Sequence, residues 1–308
     1  MMDKPRVSVV LTTFRRQDVL PRAVRSVLAQ TLTNWELLVV DDEPSADTRR
    51  IVEGVGDSRV RYIPHDRNQG LCAARNTGLG AARANLIAFL DDDDEFLPEK
   101  LERQAELLEG LPHRVGVASC FEEVQRPSGD RVQRRIVLDG DVHEQLVWND
   151  LVRMQLLMVR RACFAEVGDF DIRLPMHDDY DMTLRLARRF HFATVGESLV
   201  RIILTPASMS ESTSARIRAL GILMRTHPEF ADDKVQARWL RRLARHHADA
   251  GDRSAWKASL RRSLRADPLN TATWITLLAG QLLGPHRTRS LGRLRGLATR
   301  ALRERVHR

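Results

Sequence analysis

The sequence predicts an α/β fold, a mainly parallel sheet flanked by helices, followed by a small all-α appendage. Three observations carry this reading. Short β-branched runs alternate with helical periodicity over the first hundred residues, the pattern of parallel βαβ units. Three of those runs end abruptly in polar or acidic clusters, at Thr12 to Arg16, Asp41-Asp42 and Asp91 to Asp94. Beyond about residue 212 the composition shifts to Ala, Leu and Arg at helical spacing.

The elements follow in order. Val7 to Leu11 reads as a buried strand that opens onto the loop Thr12 to Arg16. Leu20, Val24, Val27 and Leu28 recur at helical spacing, so a helix runs from about Asp18 to Gln30. Trp35 to Val40 is a second strand. A helical stretch around Thr48 to Val55 leads to a third strand at Val60 to Ile63. Asn68, Gly70, Ala73, Ala74, Arg75 and Asn76 open a small-residue helix reaching about Ala84. Leu86 to Leu90 is a fourth strand and runs straight into the four aspartates. Ligands of such sheets bind beyond the carboxyl ends of the strands, so the three polar clusters are expected on one rim.

A helix is expected from about Glu99, then mixed segments through Val115 to Val137. A second acidic cluster, Asp178, Asp179 and Asp181, opens a helix over Met182 to Phe190. The Ser- and Thr-rich stretch Pro206 to Ser214 reads as a linker. It divides a larger α/β domain, 1–212, from a helical appendage, 213–308. Within the appendage, DRSAWKASLRRSLRADPLNTATW looks like one tetratricopeptide-type hairpin, although one unit is not a repeat array.

The chain has 308 residues, a formal net charge of +8 and a pI near 10.2, with arginine in excess. That balance favours anionic partners without choosing among them. Three cysteines far apart argue against a disulfide framework and a Cys-based zinc site, and suggest a cytoplasmic setting. The apolar run near the N-terminus is too short for a signal peptide, and no window approaches the roughly 20 apolar residues of a membrane span. A soluble or peripheral protein is expected. The tail 287–308 interleaves Arg with Leu291, Leu294, Leu297 and Leu302, which suits either an anionic membrane at its inner face or packing on the appendage. No nucleic-acid partner is expected, since no such motif is present. His65, His113 and His143 read as surface or packing residues, and Trp239, Trp256 and Trp274 as packing anchors.

The carboxylates carry the chemistry. Four consecutive aspartates repel one another unless a cation neutralises them. Asp91 and Asp93 are spaced to offer one carboxylate each to a hard divalent cation, whereas Asp94 and Glu95 fit a helix N-terminus. Asp42 suits either a base or ribose contact or a turn before Pro44. Asp178, Asp179 and Asp181 open a helix, so capping competes with a role in taking a proton from an acceptor hydroxyl.

These motifs together resemble the family 2 glycosyltransferases, which have the GT-A fold with its Rossmann-like nucleotide-binding half. VSVVLTTFRRQDVLPRAVRSVLAQTLTNWELLVVDDEPSADT is similar to that family's first two β–α units. NQGLCAARNTGLGAARANLIAFLDDDDEFLPEKL resembles its Asp-x-Asp segment, and GDFDIRLPMHDDYDMTLRLARRF its base segment. The three occur in the family's order over roughly residues 5 to 210. The resemblance implies a nucleoside diphosphate sugar donor, most often UDP-linked, an inverting transfer, and a glycan or lipid-linked acceptor. It implies that Thr13 and Phe14 line the base pocket, that Asp42 and Arg75 contact the nucleotide, and that Asp92 lies near the ribose and sugar. It also implies that Asp91 and Asp93 hold Mn²⁺ or Mg²⁺, and that Asp179 is the general base. The chain departs from the family at Thr12, Arg15 and Glu43-Pro44. It departs again at Thr205, which stands where many members have a metal-binding His, and His177 is no obvious substitute.

Overall fold

The computed structural model describes residues 4–150, 152–205 and 212–283. These residues fall into two compact units that divide between Glu211 and Ser212.

The first unit is built on one nine-stranded sheet, counted among the described residues. Strands β1 (Val7–Thr13), β2 (Trp35–Asp41), β3 (Val60–Pro64) and β4 (Leu86–Asp91) run parallel in the order β3-β2-β1-β4. Helices α1 (Leu20–Leu28), α2 (Ala46–Glu53) and α3 (Leu71–Ala81) connect them. All seven residues of β1 and of β2 are buried, as both faces of a parallel sheet require. On one face Val7, Val9, Leu11, Leu37, Val39 and Leu90 pack beneath Leu20, Val24 and Val27 of α1 and Leu101, Ala105 and Leu108 of α4 (Lys100–Glu109). On the other, α3 lies so close to β1 that a Cβ at Gly78 would stand 2.3 Å from Val10 Cγ1.

Beyond β4 the sheet becomes mixed. It continues through β8 (Met158–Arg160), β6 (Val115–Gln125), β9 (His191–Ile203) and β5 (Glu95–Phe96), with β7 (Arg131–Arg134) hairpinned on β6. Strand β8 is antiparallel to both β4 and β6, whereas β6 and β9 run parallel. Short helices α5 (His143–Trp148) and α6 (Arg161–Val167), with α7 (Asp178–Ala187), complete the unit. The expected α/β architecture holds, with one correction. Asp94 and Glu95 do not start a helix: Glu95 opens β5, which pairs with β9, and α4 begins only at Lys100.

The second unit holds α8 (Thr213–Thr226), α9 (Asp233–Asp249), α10 (Arg253–Ala266) and α11 (Thr271–Leu283). Asp232 and Asp252 cap α9 and α10 through their side chains, and Gly251 makes the intervening turn at φ 77°. Ala244, Ala248, Trp256, Leu260 and Leu277 form its core. Trp239 and Trp256 are packing anchors, but Trp274 is 46% exposed, against expectation. No helix among the described residues is long and apolar enough to cross a membrane. The tail 287–308 lies outside the described residues.

Candidate active site

A cavity of about 590 Å³ opens at the carboxyl ends of β1, β2 and β4, where the strand order turns back on itself. Its lining includes Thr12, Thr13, Phe14, Arg16, Asp42, Gly70, Asp91 to Asp94, Arg153 and Gln155. The three polar clusters therefore do share one rim.

The first loop leaves β1 with Thr13 turned to the acidic loop, its Oγ1 donating to Asp92 Oδ2 at 2.8 Å. Phe14 is 39% exposed at the cavity, and the Arg15 guanidinium lies 5.3 Å from its ring centre. Arg15 adopts φ 55° and donates to Glu43 Oε1 at 2.7 Å. Two of the departures from the family pattern, Arg15 and Glu43, thus pair with each other.

Asp42 is buried and does not make the turn before Pro44. Its carboxylate accepts from the backbone N–H of Gln69 and of Gly70, each at 2.8 Å. It thereby ties the end of β2 to the entry of α3, where Gly70 takes φ 92°. His65, expected to be a bland residue, is buried between Asp42 and Thr77 with 2.8 Å hydrogen bonds to both.

Each of the four aspartates has a different partner set. Asp93 accepts from Arg16 Nη1 at 2.6 Å, and Asp92 from the same nitrogen at 3.1 Å. Arg22 holds the Asp93 carbonyl at 2.7 Å. Asp94 accepts from the Ile203 N–H at 3.0 Å and from Gln155 at 2.9 Å, so its carboxylate locks β9 to this loop and caps no helix. Asp91 is shared between Gln155 and Arg75, the latter at 3.0 Å. Burial pushes Asp92 up to about 7 and raises Asp91 and Asp94 as well, with neighbouring carboxylates adding to the effect.

Arg75 is placed differently from the expectation. It is 1% exposed and is not among the cavity-lining residues. Its guanidinium reaches Asp91, Asp178 and Asp179, the last at 2.6 Å. A planar fork of donors suits this bridging, which a lysine could not reproduce. Burial pushes Asp178 up to about 7, opposed by the Arg75 charge. Asp179 also accepts from the Met154 N–H at 3.2 Å. Helix α7 is preceded by His177 at φ 60° with no side-chain cap, so the capping reading of Asp178 and Asp179 fails; Arg75 takes them instead. Asp42, Asp92 and Asp93 thus line the cavity, and Asp179 is joined to Asp91 through one guanidinium.

Among the described residues there is no ready-made group of three His, Cys, Asp or Glu side chains that could hold a metal. The donor chemistry nevertheless fits a hard cation. Asp91 and Asp93 supply carboxylates, and Gln155, also in the cavity lining, has a buried Oε1 without a partner. Mg²⁺ and Mn²⁺ sites of this kind use one or two carboxylates and complete their shell from phosphates and water. Ile203 and Leu204 line the cavity, and Thr205 follows them. Gln155, Arg153 and Arg16 line the cavity without having stood out as site residues in the sequence. A polar Gln inside the apolar run MQLLMV was the one signal available for the first.

Over 107 residues the chain is 39% identical to the UDP-Glc:alpha-D-GlcNAc-diphosphoundecaprenol beta-1,3-glucosyltransferase WfgD of Escherichia coli, covering 35% of this chain and 42% of that protein. It is 40% identical over 113 residues to the succinoglycan biosynthesis protein ExoO of Rhizobium meliloti, covering 37% of this chain and 32% of that one. The matches thus span about two-fifths or less of these relatives' lengths. Residues 1–349 of TarS from S. aureus, solved with UDP-GlcNAc, superpose with a TM-score of 0.65 at 16% identity, covering 94% of this chain and 92% of that one. At that identity the likeness establishes the fold. The profile of glycosyl transferase family 2 matches residues 8–162, half of the sequence. The chain belongs to glycosyl transferase family 2.

Proposed function

We propose that this protein transfers a sugar, with inversion, from a UDP-linked donor to a hydroxyl of a glycan or lipid-linked acceptor. The observation that carries the reading is the shared cavity at three strand ends, in which Asp42, Asp92 and Asp93 meet and to which Arg75 ties Asp179. The structural neighbour solved with UDP-GlcNAc and the relative named for a UDP-Glc donor and a diphosphoundecaprenol-linked acceptor support the donor and acceptor classes.

In this reading Phe14 offers a ring face to the base and Asp42 accepts from its imide. Arg16 and Arg153 bring positive charge to the diphosphate. Asp179 takes the proton of the acceptor hydroxyl as its oxygen bonds to the anomeric carbon, while the bond from that carbon to the diphosphate oxygen breaks. Attack from the face opposite the leaving group inverts the centre. Arg75 is a positioning residue: its guanidinium holds the Asp179 carboxylate in place. Asp91 and Asp93 would hold Mn²⁺ or Mg²⁺, which supplies charge neutralisation for the departing diphosphate.

Calorimetric titration of the full chain with UDP, with and without Mn²⁺, tests the site. UDP binding that strengthens with Mn²⁺, and loses that dependence in Asp93→Asn, is expected. Equal Mn²⁺ dependence in Asp93→Asn would contradict the assignment. A second reading, a nucleotide-sugar-binding protein without transfer, draws on the hold that Arg16, Arg75 and Gln155 have on Asp91 to Asp93. UDP binding with no turnover across a panel of donors and acceptors would favour it.

A further inference from the structure

We propose that the exposed faces of α10 and α11 form a docking surface for an anionic lipid bilayer. The surface lies wholly within the second unit, and it does not depend on the transfer reaction proposed above.

Helix α10 carries Arg253, Lys257, Arg261 and Arg265 four residues apart, with Arg262 beside them, and all five are exposed. Like charges at this spacing face one another and destabilise a helix. The helix itself holds no acid to offset them. None of the five forms an ion pair among the described residues, and the acids at its two ends are engaged elsewhere. Asp252 accepts from the Ala255 N–H at 2.8 Å, and Asp267 accepts from Asn270 at 3.2 Å. Such a stripe is stable in company with an anionic partner.

The neighbouring helix identifies the kind of partner. Trp274, Ile275, Leu278 and Leu282 of α11 are 46%, 44%, 54% and 85% exposed, and Leu269 in the preceding turn is 88% exposed. At roughly 100° per residue these side chains leave the helix on the side away from buried Thr273 and Leu277. The Trp274 ring is fixed by its indole N–H, which donates to the Pro268 carbonyl at 2.9 Å. Arg253 and Lys257 of α10 share a recess of about 530 Å³ with Gly280 and Gln281 of α11, so the first turns of the cationic stripe lie against the end of the helix that carries the apolar face. Cations beside exposed Trp and Leu fit the headgroup and acyl boundary of a bilayer. A nucleic acid would answer the cations and leave the apolar side chains in water.

Co-sedimentation of the full chain with phosphatidylcholine vesicles, with and without about 30% phosphatidylglycerol, tests the surface. Binding that requires phosphatidylglycerol and weakens with salt is expected. The triple variant Lys257→Glu, Arg261→Glu, Arg265→Glu should weaken it by roughly 100-fold, at about fivefold or more per charge. The variant Trp274→Ala, Leu278→Ser should weaken it by about tenfold or more. Every altered side chain is exposed, so unchanged melting temperatures and circular dichroism are the control for folding. No vesicle binding, or binding that survives the triple variant, would overturn the proposal. So would binding that is lost only when residues 287–308 are deleted. Equally tight binding of an RNA oligomer, indifferent to Trp274→Ala, Leu278→Ser, would mark a general polyanion patch and overturn it too.

Discussion

Arg75 shows what a single side chain decides in this site. Its three carboxylate partners come from a strand end and from the first turn of a helix about a hundred residues away. The sequence marks Arg75 and each aspartate as candidates but not their pairing, because a long-range ion pair leaves no local pattern. Asp42 was legible for the opposite reason, since an acid at the end of a buried strand is a local signal. Lys100 had no signal at all. It is fully buried, donates to Gln104 Oε1 at 2.6 Å and lies 4.3 Å from the Phe96 ring centre. Burial lowers its pKa from 10.5 to about 8. The folded state therefore gives up this proton near pH 8 and the unfolded chain only near 10.5, so stability rises with pH between them. The stability of the wild type relative to Lys100→Met should increase over that window, by about 3 kcal/mol at most. Urea unfolding of both proteins at about pH 7.5 and about pH 10 measures it. A difference that does not change with pH would show that Lys100 stays charged in the folded state.

At the scale of elements, β1 to β4 and the helices between them were readable because β-branched runs and helical periodicity are local. Strand β5 was not. It has two residues, and only its pairing with β9 makes it a strand. The long β6 and its β7 hairpin fell in segments whose polarity gives no clear period, for β7 is largely exposed. The packing of α3 on β1 was equally hidden, although a glycine marks it. Because a Cβ at Gly78 would stand 2.3 Å from Val10 Cγ1, Gly78→Ala must push α3 away from the sheet. The expected cost is about 1–3 kcal/mol. A weaker grip on UDP should accompany it, since α3 begins at the Gly70 N–H that fixes Asp42. Chemical denaturation and UDP titration of this variant read the two effects. Wild-type stability would mean that the helix accommodates the methyl without moving.

At the scale of the molecule, the overall charge of +8 conceals an asymmetry. Residues 212–308 hold 21 Lys and Arg against 7 Asp and Glu, so the first 211 residues are net acidic. The basic pI therefore describes the second unit, whereas the proposed donor site is rich in carboxylates. An anionic donor must meet that site through local cations, Arg16 and Arg153, and any bound metal. The global fold was legible because family-like motifs occur in order along one chain. The chemistry of the second unit was not, because exposure alone separates Trp274 from the buried Trp239 and Trp256.

In the proposed reaction Asp179, held by Arg75, acts on the acceptor and not on the donor. The most direct measurement compares UDP affinity with the rate of sugar transfer in the wild type and Asp179→Asn, using a donor and acceptor that the wild type turns over. Transfer should fall by roughly 100-fold or more, while UDP affinity stays within about threefold. Undiminished transfer by Asp179→Asn would exclude Asp179 as the base.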